Sequence, residues 1–310
     1  MNKRSAAVKD RFDLGMIPRL LLFILLPNIV TTPLRIFVEA VIDGMEKAPD
    51  FVTVPFLIYG VIAELVVGSG YFIIGYKLPV KNRVLRGFSY IMLILASSYL
   101  PNILAMLGGD GKIIEESLTP GIVVTDVISY TLKGLVLGFL MRNYEVRNDT
   151  PSRSISKSAM VLISLINGII FSLLNFLTDA AAGAVDNSWR LNSILAVTSS
   201  HEKSFYMVFT AFMFMAGILL TIWFRYCLPE KAGIAGMILF ALKLSAIVWL
   251  PNVLIMAFFG TSFIKTFAYG IAYMLMFVIC TLIYGIITGK LKTISYDQGF
   301  NAEFSRSTQR

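Results

Sequence analysis

Long apolar stretches separated by short polar runs recur along the chain at 17–42, 53–75, 85–108, 120–141, 158–180, 205–226, 233–258 and 265–288. About 20 helical residues cross the ~30 Å hydrocarbon layer of a bilayer, so the pattern predicts eight transmembrane helices. The first stretch follows a basic segment, as in a signal peptide, but no small-residue cleavage pattern comes after it. It is read as the first span.

The polar runs carry the orientation. With the first one placed in the cytoplasm, 19 Lys and Arg fall on the cytoplasmic side, five on the opposite side (Lys47, Lys112, Arg190, Lys203, Lys265) and three inside spans. A bias of this size is the positive-inside signature and predicts both ends in the cytoplasm. The net charge of +8 is thereby explained as orientation. No basic cluster has the form of a nucleic-acid recognition element, and no nucleic-acid partner is expected.

The chain also repeats itself. Residues 76–106 laid on 226–256 match at ten of 31 gapless positions, including Tyr76/Tyr226, Pro79/Pro229, Lys81/Lys231, Pro101/Pro251 and Asn102/Asn252. The shared core is aromatic-Leu-Pro-Asn, Tyr99–Asn102 and Trp249–Asn252, at one depth of the third and seventh spans. More loosely, Asn28 pairs with Asn167, Glu39 with Asp179 and Tyr130 with Tyr273. The expected fold is an all-α integral membrane protein of two tandem four-helix repeats. An even number of spans per repeat puts them in parallel orientation, about a pseudo-twofold along the membrane normal. The divisions are a cytoplasmic N-terminal segment 1–16, a first repeat 17–146, a cytoplasmic linker 147–157, a second repeat 158–289 and a cytoplasmic tail 290–310.

Composition agrees: 56% of residues are hydrophobic, 15% are charged, and mean hydropathy is +0.75. A soluble chain spends about a quarter of its residues on charge. Cys227 and Cys280 fit neither a disulfide framework nor a metal-binding spacing, and the single histidine, His201, lies between two expected spans. His-Glu-x-x-His and the Walker A phosphate loop are absent, and Ser69, between two glycines, has no intramembrane histidine as a base. No metal, cofactor or catalytic constellation is expected. The reading is non-enzymatic, although Asp126 and Asp179 at similar depth keep an aspartyl pair conceivable.

Polar groups inside spans need partners or water and are the candidate functional residues. Leu-Pro-Asn occurs three times, at Leu26–Asn28, Leu100–Asn102 and Leu250–Asn252. Proline removes one helical N–H and frees a carbonyl one turn earlier, which a neighbouring asparagine can satisfy or leave to a ligand. With Pro33 added, the first span is expected to be kinked or partly unwound between Pro27 and Pro33. Glu64, Lys133 and Lys243 lie near span midpoints together with Asn28 and Asn167. Nearer the outer face is a second polar layer: Arg35, Glu39, Asp126, Asn175 and Asp179, at the depth of Asn102 and Asn252. Arg35 and Glu39, four apart, can pair on one helix face. Glu64 has nothing in its own helix to neutralise it, so it is expected to be protonated or to sit against Lys133 or Lys243. Gly68-Ser69-Gly70 and the Gly134/Gly138 pair are read as helix-packing features.

The substrate-binding set is therefore Asn28, Glu64, Asn102, Lys133, Asn167, Lys243 and Asn252, and the expected function is a transporter or permease with its solute site at the interface of the repeats. Two lysines against one glutamate tilt the expected solute towards an anion or zwitterion. The alternatives are a non-catalytic membrane subunit that docks a cytoplasmic protein partner through basic loops, and a lipid-handling flippase or intramembrane lipid enzyme. Membrane lipids and a small-molecule solute are the expected partners. Short loops suit a bacterial cytoplasmic membrane.

Overall fold

The computed structural model describes residues 16–42, 54–100, 120–141, 155–185, 200–229, 232–254, 257 and 262–289. Regular structure among them is helical: α1 (Met16–Ile42), α2 (Val54–Ile73), α3 (Arg83–Ile94) running into a π turn at Leu95–Tyr99, α4 (Pro120–Leu140), α5 (Lys157–Val185), α6 (Ser200–Cys227), α7 (Ile234–Val248), α8 (Leu250–Leu254) and α9 (Phe263–Ile287). Helix lies on every apolar stretch named above.

Local chemistry sets the helix ends. The Asn82 side chain accepts from the backbone N–H of Val84 (2.9 Å) and Leu85 (3.2 Å) at the start of α3. Ser156 accepts from Ala159 N at the start of α5, and Ser262 from Lys265 N at the start of α9. Each satisfies a donor that the first helical turn leaves open. After α9 the chain turns at Gly289 with φ 65°, a left-handed conformation that glycine adopts without a Cβ penalty. Between α2 and α3, Arg86 is only 2% exposed, its Nε donating to Val80 O (2.9 Å) and its Nη2 to Lys81 O (3.4 Å). This guanidinium pins the 78–82 connection to the helix that follows it.

Among the described residues, five helices are long and apolar enough to cross a membrane, over Ile17–Val38, Ile58–Lys77, Lys157–Val185, Met207–Cys227 and Phe263–Ile287, and Ile234–Val248 is a shorter apolar helix. Leu21, Leu25 and Ile29 of α1, Leu162, Ile169 and Leu173 of α5, and Ile264, Ile271 and Leu275 of α9 are exposed. In water such faces would aggregate, whereas in a bilayer they meet acyl chains. The protein is an all-α, membrane-integral protein.

The chain divides into two compact units, one of Met1–Met92 with Glu116–Val146 and one of Leu93–Glu115 with Arg147–Arg310. In the first unit α1 packs against α4 and α2. Tyr90 of α3 donates to Val67 O of α2 (2.7 Å), and its ring meets Tyr71 edge-on at 5.4 Å. Helices α3 and α4 cross through glycine: a Cβ at Gly138 would meet Val84 O and Arg83 O at 2.5 and 2.7 Å, and one at Gly134 would meet Phe88 Cα at 2.8 Å. Lipid tails are as apolar as leucine, so helix association in a membrane relies on such close backbone approach.

In the second unit α5 and α6 approach in the same way at Gly168 and Gly217. A Cβ at Gly217 would lie 2.7 Å from Asn167 O and 2.8 Å from Gly168 Cα. The core continues through Trp223, Phe224, Phe240, Phe277 and Tyr284, all buried. Helix α9 packs on α5, α7 and α8, and the π turn packs on α6.

Candidate polar site within the helices

Three of the sequence-derived candidates converge in the first unit. Glu64 lies near the middle of α2, Lys133 beyond the middle of α4 and Asn28 near the middle of α1. Lys133 Nζ is 2.5 Å from Glu64 Oε1. Asn28 Nδ2 donates to both carboxylate oxygens, at 3.2 and 3.0 Å, and also to Ile24 O at 2.8 Å. One amide hydrogen therefore serves the helix and the other is shared across the carboxylate. Of the two lysines that could have neutralised Glu64, Lys133 does so. Of the expected alternatives for that carboxylate, the geometry is the one in which it sits against a lysine.

The helix that carries Asn28 runs unbroken through Pro27 and Pro33 rather than unwinding between them. Pro27 has no N–H to give to Phe23 O, and Asn28 adds a side-chain donor to the adjacent carbonyl. A helix loosened at this turn is thus held by the same amide that grips Glu64. Tyr130, one turn before Lys133 on α4, places its ring centroid 5.8 Å from Lys133 Nζ. That separation lets the ring face stabilise the ammonium. The Tyr130 hydroxyl has Asp126, Glu64 and Tyr59 as electrostatic neighbours. Asp126, from the expected outer layer, thereby adjoins the triad through Tyr130. The side chains of Glu64 and Lys133 are 18% and 16% exposed, so the pair is sheltered but not sealed.

The second unit holds a different polar arrangement. Asn167, Phe171, Asn175 and Asp179 follow one another at intervals of four along one face of α5. Asn167, 1% exposed, donates from Nδ2 to Thr221 Oγ1 of α6 (3.1 Å), and its Oδ1 is buried without a hydrogen-bond partner among the described residues. Asn175 Oδ1 accepts from the Tyr273 hydroxyl of α9 at 2.9 Å. Asp179 is 5% exposed and lies near Tyr273.

Beside these groups, Trp249 packs against Tyr273, Phe171 and Phe277 with ring centroids 4.9, 5.5 and 6.0 Å away. Trp249 sits at the break between α7 and α8, where Pro251 cannot donate to Ile247 O. Replacing Tyr273 with phenylalanine removes the bond to Asn175, and thermal unfolding in detergent is expected to show a loss of about 1 kcal/mol.

Lys243 is exposed on α7, in the second unit. Arg35 and Glu39 lie on α1 and Asn252 on α8, with their side chains outside the described residues, as Asn102 is altogether. Spacing along single helices missed Gly168 and Gly217, because neither has a second glycine three or four residues away on its own helix and only the crossing brings them together. Within the first unit, the aromatic partner of Lys133 also went unnoticed, although Tyr130 stands three residues before it. Compared with protein-family models, curated proteins and solved structures, the chain gives no match.

Proposed function

We propose that the protein is a multi-pass transporter that moves a small polar solute across the membrane, with Glu64, Lys133 and Asn28 as its point of contact. The observation that carries this reading is the Glu64–Lys133 pair itself. Ionisable side chains deep in a span are expensive, and replacing a buried pair by apolar residues of similar volume is often stabilising. Packing alone would be served as well by apolar residues of similar volume. This one keeps both side chains partly exposed and is bonded to an asparagine at a proline site.

The wider architecture that fits this role is eight spans. The third is α3 with its π turn, the fourth is α4 and the seventh is α7 with α8. Two local features support an internal repeat beyond the matched residues. The π turn ends at Tyr99 and the α7–α8 break falls at Trp249, so the Leu-Pro-Asn at Leu100 and the one at Leu250 are both entered from a helix irregularity. In the second unit a Cβ at Gly168, next to Asn167, would touch the Phe214 ring, and Phe214 is the residue that the 150-residue offset assigns to Glu64. The lysine and arginine bias supports an orientation with both ends inside, and short loops suit a bacterial cytoplasmic membrane.

The test is uptake into proteoliposomes from a panel of amino acids, organic anions and phosphate. For whichever solute accumulates, Glu64→Gln is expected to lower uptake at least tenfold. The doubly neutralised Glu64→Gln/Lys133→Met variant serves as the folding control. Wild-type uptake by both variants, correctly folded, overturns the assignment.

A further inference from the structure

Taking the transporter reading as its basis, we infer that the ligand of the Asn28–Glu64–Lys133 site is a zwitterion, an ammonium and an anionic group on one small skeleton that together exchange for the internal ion pair. The argument is charge balance. Within the first unit the site holds one ammonium and one carboxylate in contact. Asp126, the other described charge on α4, lies seven residues from Lys133, about 10 Å along the helix, with Tyr130 between them.

A net anion that opened the pair to reach Lys133 would leave Glu64 as an uncompensated charge in a low-dielectric setting, and a net cation would strand Lys133. Removing one partner of a buried pair is far costlier than replacing both. A zwitterion turns one ion pair into two and strands neither charge.

Hydrogen-bonding capacity points the same way. Lys133 has three N–H donors and gives one to Glu64. The Glu64 carboxylate offers about four acceptor positions and takes three bonds, one from Lys133 and two from Asn28. Both members thus retain capacity for a visitor, donors on one side and an acceptor on the other. The Tyr130 ring stays beside the ammonium when the carboxylate turns away. Since Nζ and Oε1 are in contact at rest, the fitting ligand carries its two charges close together. Both a free amino acid and an ethanolamine phospholipid headgroup have this chemistry.

The experiment uses the full chain in phosphatidylglycerol nanodiscs, which hold no zwitterionic headgroup. It titrates three compounds of one skeleton, β-alanine, propionate and propylamine, together with glycerophosphoethanolamine, by calorimetry. Expected is binding of β-alanine or glycerophosphoethanolamine at least tenfold tighter than of propionate and propylamine. Glu64→Gln should move the preference towards propionate, and Lys133→Met towards propylamine. A matching preference seen only when phosphatidylethanolamine is introduced into the disc, and lost in both variants, assigns the zwitterion to a lipid headgroup.

The inference is overturned if wild-type protein binds propionate or propylamine as well as the zwitterions, if the variants keep the wild-type order, or if folded protein binds none of the probes in either disc. Glu64-dependent uptake of a net-charged solute in the proteoliposome assay would overturn it while leaving the transporter reading intact. Loss of Glu64 dependence in that assay removes both.

Discussion

Replacing Lys133 with alanine will cost about 3 kcal/mol of stability, measured by chemical unfolding in mild detergent, because it leaves the Glu64 carboxylate in mid-helix with only the Asn28 amide. Most of that loss is the penalty of the stranded charge rather than the worth of the pair. Adding Glu64→Gln to the same chain should therefore recover more than half of it. The double-mutant cycle should return a coupling energy of about 2 kcal/mol, well above the few tenths found for sites that do not interact. If Lys133→Ala unfolds within about 0.5 kcal/mol of wild type, the ammonium is not what neutralises Glu64.

The largest effect on folding alone is expected at the α3–α4 crossing. A Cβ at Gly87 would run into the backbone of Gly138 and Gly134, and one at Gly138 into the carbonyls of Val84 and Arg83. No side chain can rotate out of the way, so the two helices must separate. Gly138→Val should cost more than about 3 kcal/mol, the upper end of ordinary overpacking, or prevent recovery of folded protein. Gly60 provides the comparison within the same unit. A Cβ there has nothing within 4 Å, and Gly60→Ala should leave the unfolding midpoint unchanged or raised. Equal behaviour of the two variants in size-exclusion chromatography and thermal melts would show that α3 and α4 do not need glycine at their crossing.

Hydropathy made the long helices legible because a helix that crosses a bilayer has to meet a single solvent, the acyl chains, along much of its length. The expected 17–42, 120–141 and 265–288 differ from α1, α4 and α9 by two residues or fewer at each end. Helix α6 begins at Ser200, five residues before the expected 205, because its first turn is polar and hydropathy does not register it. The same uniformity hides the faces. On α7, Leu239 and Leu242 are exposed while Phe240 and Leu244 are buried, and the apolar pattern around Lys243 gives no sign of which way that lysine points. Glu64 was traceable to a lysine because an isolated carboxylate demands a partner. The choice of Lys133 needed the packing of α1 on α4. Asn167 was visible as a polar residue in a span, but its partner Thr221 was not, since a threonine can satisfy itself on its own helix, as Thr281 does on Phe277 O.

The π turn has a consequence for how the chain is made. Leu95–Tyr99 leaves the ribosome long before α6 (Ser200–Cys227), the helix against which it packs. At about 5–20 residues per second, the intervening ~100 residues take roughly 5–20 s to synthesise. Over that interval Ser97 and Ser98, both fully buried in the finished protein, have no such cover. The Ser97 hydroxyl bonds to Leu93 O, within its own helix, so part of its polarity is masked from the moment the turn forms. A segment that must wait in the bilayer or the insertion machinery for a late partner is one where a substitution can lower the yield of inserted protein without altering the stability of the molecules that complete assembly.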